Sequence, residues 1–183
     1  ASIATIWFLP ASLAWRVIEP TLSLPNDVSI ALPRGSLRQG HTLIQFRGFP
    51  PTRLSWQADW PSWIETSLAI SHSFRIEGPG HEISGNLKLL PGQDRLLIEQ
   101  LSGEIQSRDI NELAEAYGHQ FSGFVTLKNG VVNLTAKCFN ALEGDLSWSG
   151  GRVSLNGFNG LAHYQLPPLQ ARLDLEKCSA ALD

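Results

Sequence analysis

Alternation with a period of two runs through most of this chain, and it restricts the fold to sheets. From Ile64 the even positions read Ile64, Thr66, Leu68, Ile70, His72, Phe74 and Ile76, while the odd positions read Glu65, Ser67, Ala69, Ser71, Ser73 and Arg75. Successive side chains of a strand leave on opposite faces, so this spacing predicts one long strand, or two joined at a bend, with one apolar and one polar face. The pattern recurs downstream with glycine on the apolar face: Ile83, Gly85, Leu87 and Leu89; Phe121, Gly123, Val125 and Leu127; Leu142, Gly144, Leu146 and Trp148. Glycine inside a strand marks a bend, a bulge or close approach of a neighbour, and its repetition predicts a strongly curved sheet. Leu54, Trp56 and Ala58 form an earlier strand, and Leu169, Ala171, Leu173 and Leu175 a last one.

Turn chemistry separates these runs. Lys128-Asn129-Gly130-Val131 carries the Asn-Gly pair of a type I′ hairpin, and Ser149-Gly150-Gly151-Arg152 predicts a second hairpin. Gly78-Pro79-Gly80 and Pro91-Gly92 mark two more connections. One segment changes period: Ile110, Leu113, Ala114 and Tyr117 follow helical spacing behind Asp109 as N-cap, with Glu112 at the capping-box position and Gly118 as the stop. The expected class is mainly β. It is an extended, strongly curved antiparallel meander or half-barrel of roughly ten to fourteen strands, with one short helix.

A chain of 183 residues with 43% hydrophobic and 17% charged residues can build a core without a metal or disulfide. Its formal net charge is -3, and Arg34, Arg38, Arg47 and Arg53 are separated by apolar or turn residues, so no basic stripe is available to follow nucleic-acid phosphates. Catalytic constellations are missing from the linear sequence. His41, His72, His81, His119 and His163 show no ligand spacing, and no second His follows His81-Glu82 as a metalloprotease motif requires. Gly78-Pro79-Gly80 lacks the third glycine of a dinucleotide loop, and no serine sits in a G-x-S-x-G elbow. The acidic residues fall mostly on polar strand faces. No catalytic, cofactor or metal residue is assigned, and His72, on an apolar face, is read as a satisfied, half-buried histidine. The aromatic residues offer more: Trp56 belongs to a strand's core face, whereas Trp60 and Trp63, flanking Pro61, are candidate surface anchors for a protein or a sugar ring.

Two readings stay open at each of two further places. Cys138 and Cys178 either close a loop of about 40 residues as a disulfide, which stabilises by roughly 3 to 4 kcal/mol, or remain buried free thiols. The uncharged stretch Ala1 to Trp15 is either the outer half of a membrane helix, with Trp7 and Trp15 at the interface, or an apolar lead-in to the sheet. The chain opens on Ala1 and contains no methionine, which leads to the expectation of further residues upstream.

The string Leu9-Pro10-Ala11-Ser12-Leu13-Ala14-Trp15, then Val28-Ser29-Ile30 leading to Gly35-Ser36-Leu37-Arg38-Gln39-Gly40, then Pro51-Thr52-Arg53-Leu54-Ser55-Trp56, resembles type II secretion system protein N. The resemblance implies a single-pass bacterial inner-membrane protein. Residues 1–19 would then be the end of the membrane anchor and its linker, and residues 20–183 a periplasmic β domain. It implies a non-enzymatic component of the machinery that exports folded proteins across the outer membrane, acting by contacts with other inner-membrane or periplasmic secretion components. It also implies the Cys138–Cys178 disulfide. Trp60, Trp63 and Tyr117 are, on their own residue chemistry, a candidate interaction surface. A lipid-binding β-groove is the alternative function, and a carbohydrate-binding module a third.

Overall fold

The computed structural model describes residues 7–21, 28–46, 50–59, 62–64, 67–90, 95–114, 118–135, 138–157 and 160–176. Helix α1 (Ala11–Ile18) is the first helix whose bounds lie within the described residues, and it runs into a 3-10 turn at Glu19–Thr21. Then follow β1 (Val28–Ile30), β2 (Arg34–Gly35), β3 (Gln39–Phe46), β4 (Thr52–Ala58), β5 (Ser62–Ile64), β6 (Ser67–Gly78), β7 (His81–Leu90) and β8 (Arg95–Gln106). Helix α2 (Ser107–Ala114) leads to β9 (Gln120–Phe121), β10 (Phe124–Thr135), β11 (Cys138–Trp148), β12 (Gly151–Gly157), β13 (Gly160–Leu166) and β14 (Leu169–Glu176). Eleven strands make one antiparallel sheet whose main path is β1-β3-β4-β6-β7-β8-β10-β11-β14, with β2 on β3 and β5 on β6. The strands β13-β12-β9 form a separate small sheet. The large sheet does not close into a barrel.

The period-two pattern does what the sequence predicts except in the run Phe121, Gly123, Val125 and Leu127, which divides between β9 of the small sheet and β10 of the large one. Thr42, Leu54, Ile76, Ile83, Gly103, Leu127, Leu146 and Ala171 stand opposite one another across eight strands. Ala58, His72, Leu87, Ile98, Val132, Leu142 and Leu175 form a second row on the same face, because directly paired residues project to the same side. Half-burial of each large side chain in these rows contributes about 1 kcal/mol. Full burial is rarer: among the described apolar residues it is reached by Trp7, Ala11, Ala58, Val132 and Val153. A single sheet covers only one side of its own side chains. Helix α2 and the segment carrying Trp7 supply partial cover on the other.

Of the two readings of the run from Ile64 to Ile76, the structure takes the two strands, and β5 turns fully back on β6, pairing Ile64 with Ser67 and Ser62 with Ala69. Two local expectations are corrected. The Asn129-Gly130 pair is no hairpin, since β10 passes straight through it. Asn129 has φ 53, and the register against both neighbours shifts there, so the left-handed residue makes a bulge instead. Ser149 to Arg152 does change the chain's direction, but it carries the chain from the large sheet to the small one, with Gly150 and Gly151 at φ 77 and 143. The Gly78-Pro79-Gly80 turn joins β6 and β7 as expected.

Candidate functional site

The most heavily buried polar side chain belongs to α2. Asp109 is not the N-cap expected of it, because α2 begins at Ser107 and its first turn carries Asp109 down onto the sheet. There its carboxylate is 1% exposed and lies 2.5 Å from Nδ1 of His81. Nε2 of His81 is 3.0 Å from Oγ1 of Thr52, which also donates to the Pro50 carbonyl at 3.3 Å. An isolated carboxylate at this depth would cost several kcal/mol, and the imidazole offsets that cost. The Gly78-Pro79-Gly80 turn is shaped to this cluster. A Cβ on Gly80 would lie 2.4 Å from Oδ1 of Asp109, and the turn's Gly80 carbonyl accepts from the Gln106 amide at 2.7 Å. Hydroxyl, imidazole and carboxylate in this order recur in hydrolases. Here they clamp the start of β4, the β6–β7 turn and α2 together.

An apolar groove of about 450 Å³ opens beside the clamp. Ile44, Phe46, Ile76, Ile83, Ile105 and Ile110 line it. Ile110 of α2 borders it, and the isoleucines of β3, β6 and β7 that face it are half-buried. Asn111, one residue on, holds α2 to the small sheet: its amide accepts from the Phe121 N–H at 2.6 Å and donates to the Phe121 carbonyl at 2.8 Å, as a neighbouring strand would.

At the other end of the apolar face, Trp7 packs edge-on against His72, with ring centroids 6.0 Å apart. The segment is held by main-chain bonds from Arg38 to Trp7 at 3.1 Å and from Leu37 to Leu9 at 3.0 Å. Burial lowers the His72 pKa from its ordinary 6.5, against the opposing charge of Asp59. His72 is half-buried as expected but not satisfied, for its Nδ1 and the Trp7 Nε1 find no hydrogen-bond partner among the described residues. Trp7 therefore sits inside the fold at 5% exposure, whereas Phe8, Leu13 and Val17 are 61%, 49% and 75% exposed. Among the described residues no helix is long and apolar enough to cross a membrane.

Other predicted site residues are placed only in part. Trp63 lies on β5 and Cys138 opens β11, but their side chains, with Trp60, Tyr117 and Cys178, lie outside what is described. Trp56 is half-buried on the core face, its ring laid across Gly40 and its Nε1 donating to the Ser36 carbonyl at 3.2 Å. The clamp was missed in the sequence because its three members are 28 and 29 positions apart. A glycine-bracketed turn ending in His, with an acid in the first turn of an amphipathic helix, was the available signal.

These features define a class of protein built on one large open antiparallel sheet, with an apolar face partly covered by short helices. Comparison with known families is consistent with that class. A family model described as type II secretion system (T2SS), protein N, matches residues 26–183, and the chain belongs to that family. No curated protein matches, and no solved structure does.

Proposed function

We propose that this chain is a non-enzymatic assembly component of the type II secretion system, with residues 20–183 as its periplasmic β domain and residues 1–19 as the end of an inner-membrane anchor. Family membership supports a role in this secretion system. The observation that carries the mechanism is the sheet's open edge: β14 is paired to β11 on one side and to no strand on the other among the described residues. Unpaired main-chain groups on such an edge accept a strand from a protein partner, with hydrogen bonds supplying affinity and alternate side chains specificity. Partners of that kind are other inner-membrane or periplasmic components of the same machine. The exposed Phe8, Leu13 and Val17 suit a membrane surface at the opposite end, and in the periplasm, an oxidising compartment, Cys138 and Cys178 would be free to pair.

The apolar groove favours a second reading, in which the domain holds an acyl chain against Ile44, Ile76, Ile83 and Ile105. Photoreactive residues at Leu169, Ile83 and Val17 of the membrane-anchored protein, crosslinked in the native envelope, separate the two. Adducts from Leu169 with secretion-system proteins support assembly. Phospholipid adducts from Ile83, with no protein adduct from Leu169, would sink it in favour of the groove.

A further inference from the structure

Among the described residues, the two edges of the large sheet are guarded very differently. On one side β1 and β2 are only three and two residues long, Pro33 interrupts them, and Pro10 bridges to Ser36 just beyond. Short strands and proline are common devices against unwanted pairing. The other edge, β14, reads Leu169-Gln170-Ala171-Arg172-Leu173-Asp174-Leu175-Glu176 and is bonded to β11 along its whole length. Pro167 and Pro168 precede it, so every residue of β14 keeps its N–H, and those of alternate residues point away from β11. No charge points to its apolar face, and Leu169 and Leu175 there are 52% and 55% exposed.

The charges on its polar face are unbalanced within one chain. Arg172 stands opposite Asp145 of β11, but Asp174 stands opposite Glu143, and like charges directly opposite are destabilising. Neither Arg172 nor Asp174 forms an ion pair among the described residues. Antiparallel pairing with a second copy, about a two-fold axis through Leu173, would answer this imbalance. Arg172 then faces Asp174 of the second copy, the reciprocal pair forms by symmetry, Leu173 meets Leu173, and Ala171 meets Leu175. Moving the axis by one residue along the strand sets Arg172 against Arg172 or Asp174 against Asp174. A half-step between these turns the apolar face of one sheet to the polar side of the other. Among the registers that pair at least seven of the eight residues of β14, this one alone keeps the apolar face continuous and leaves no like charges opposed.

We propose that β14 is a self-complementary edge that joins two copies of this chain into one continuous antiparallel sheet. The proposal rests on the strand-addition reading and names the first strand added. An isologous contact of this kind closes on itself, so it yields a dimer and not a fibre.

Sedimentation velocity on the 183-residue chain at about 0.05 M salt, where surface charges are weakly screened, tests it with the variants Arg172→Asp and Asp174→Arg. The parent chain should dimerise. Each variant alone should dimerise about tenfold to a hundredfold more weakly, because two attractive cross-strand pairs become repulsive. An equimolar mixture of the two variants should recover dimer, since both opposite-charge pairs are restored between unlike chains. Far-UV circular dichroism on each variant separates lost pairing from lost folding. A parent chain that stays monomeric up to about 1 mM, or a mixture no more dimeric than its folded components, overturns the proposal. If self-pairing fails while Leu169 still crosslinks to other secretion proteins, strand addition stands without the dimer; if both fail, both are wrong.

Discussion

Asp109 shows how one side chain can decide the position of an element. Its carboxylate fixes α2 to His81 and, through the imidazole, to Thr52 of β4. Replacing Asp109 by Ala leaves Nδ1 of the buried imidazole without its partner and should lower stability by about 3 kcal/mol in urea denaturation. Thr52→Val, which removes a hydroxyl that also reaches the Pro50 carbonyl, should cost about 1 kcal/mol. Gly80→Ala should cost about 2 kcal/mol, because the new methyl lands on a carboxylate already held in place. His72 carries a pH dependence. Its pKa is lowered in the folded state, so between its unfolded value near 6.5 and its folded value the unfolded chain binds the proton that the folded chain refuses. Stability should therefore fall as pH drops below about 6.5 and level off beneath the folded pKa, and His72→Gln should flatten that part of the curve. Thermal melts from pH 7.5 to pH 5 check both.

Elements with an uninterrupted alternation were legible in advance. β4, β7, β11 and β14 sit where their apolar positions predict, because burying one face of a sheet specifies the register of every strand in it. The Asn129-Gly130 signal failed for a physical reason. Asn-Gly permits a left-handed backbone but does not demand a reversal, and the long strands on both sides of β10 hold the chain extended through it. α2 depends on Asn111, whose amide stands in for a strand beside Phe121. Asn111→Ala leaves both main-chain groups of Phe121 without that partner. It should destabilise the domain by about 2 kcal/mol and raise amide exchange at Phe121 before it affects the centre of the large sheet.

Over the whole molecule, almost every strand of the large sheet pairs with a strand adjacent in sequence or one short insertion away. Such a sheet has no closed core to make every strand equal. Hydrogen exchange should be slowest in β7, β8 and β10, which have long partners on both sides, and fastest in β13 and β14 at low protein concentration. Protection of β14 that rises with concentration, while β13 stays open, is the signature expected of pairing between copies.

The sequence by itself determined the class of fold and one face of nearly every strand, because the period of two is a local property written at each pair of residues. It also determined the family, through short strings that lie mainly on β1 to β4 and the segment before them. Only the tertiary structure decided what depends on residues distant along the chain: the turning back of β5, the departure of β12 and β13 into a second sheet, the burial of Asp109 against His81, and the exposure of the strand that ends the sheet. Alternation says which side chains face inward. It is silent on which strands find a neighbour, since an edge strand and a central strand present the same pattern until the rest of the chain has taken its place beside them.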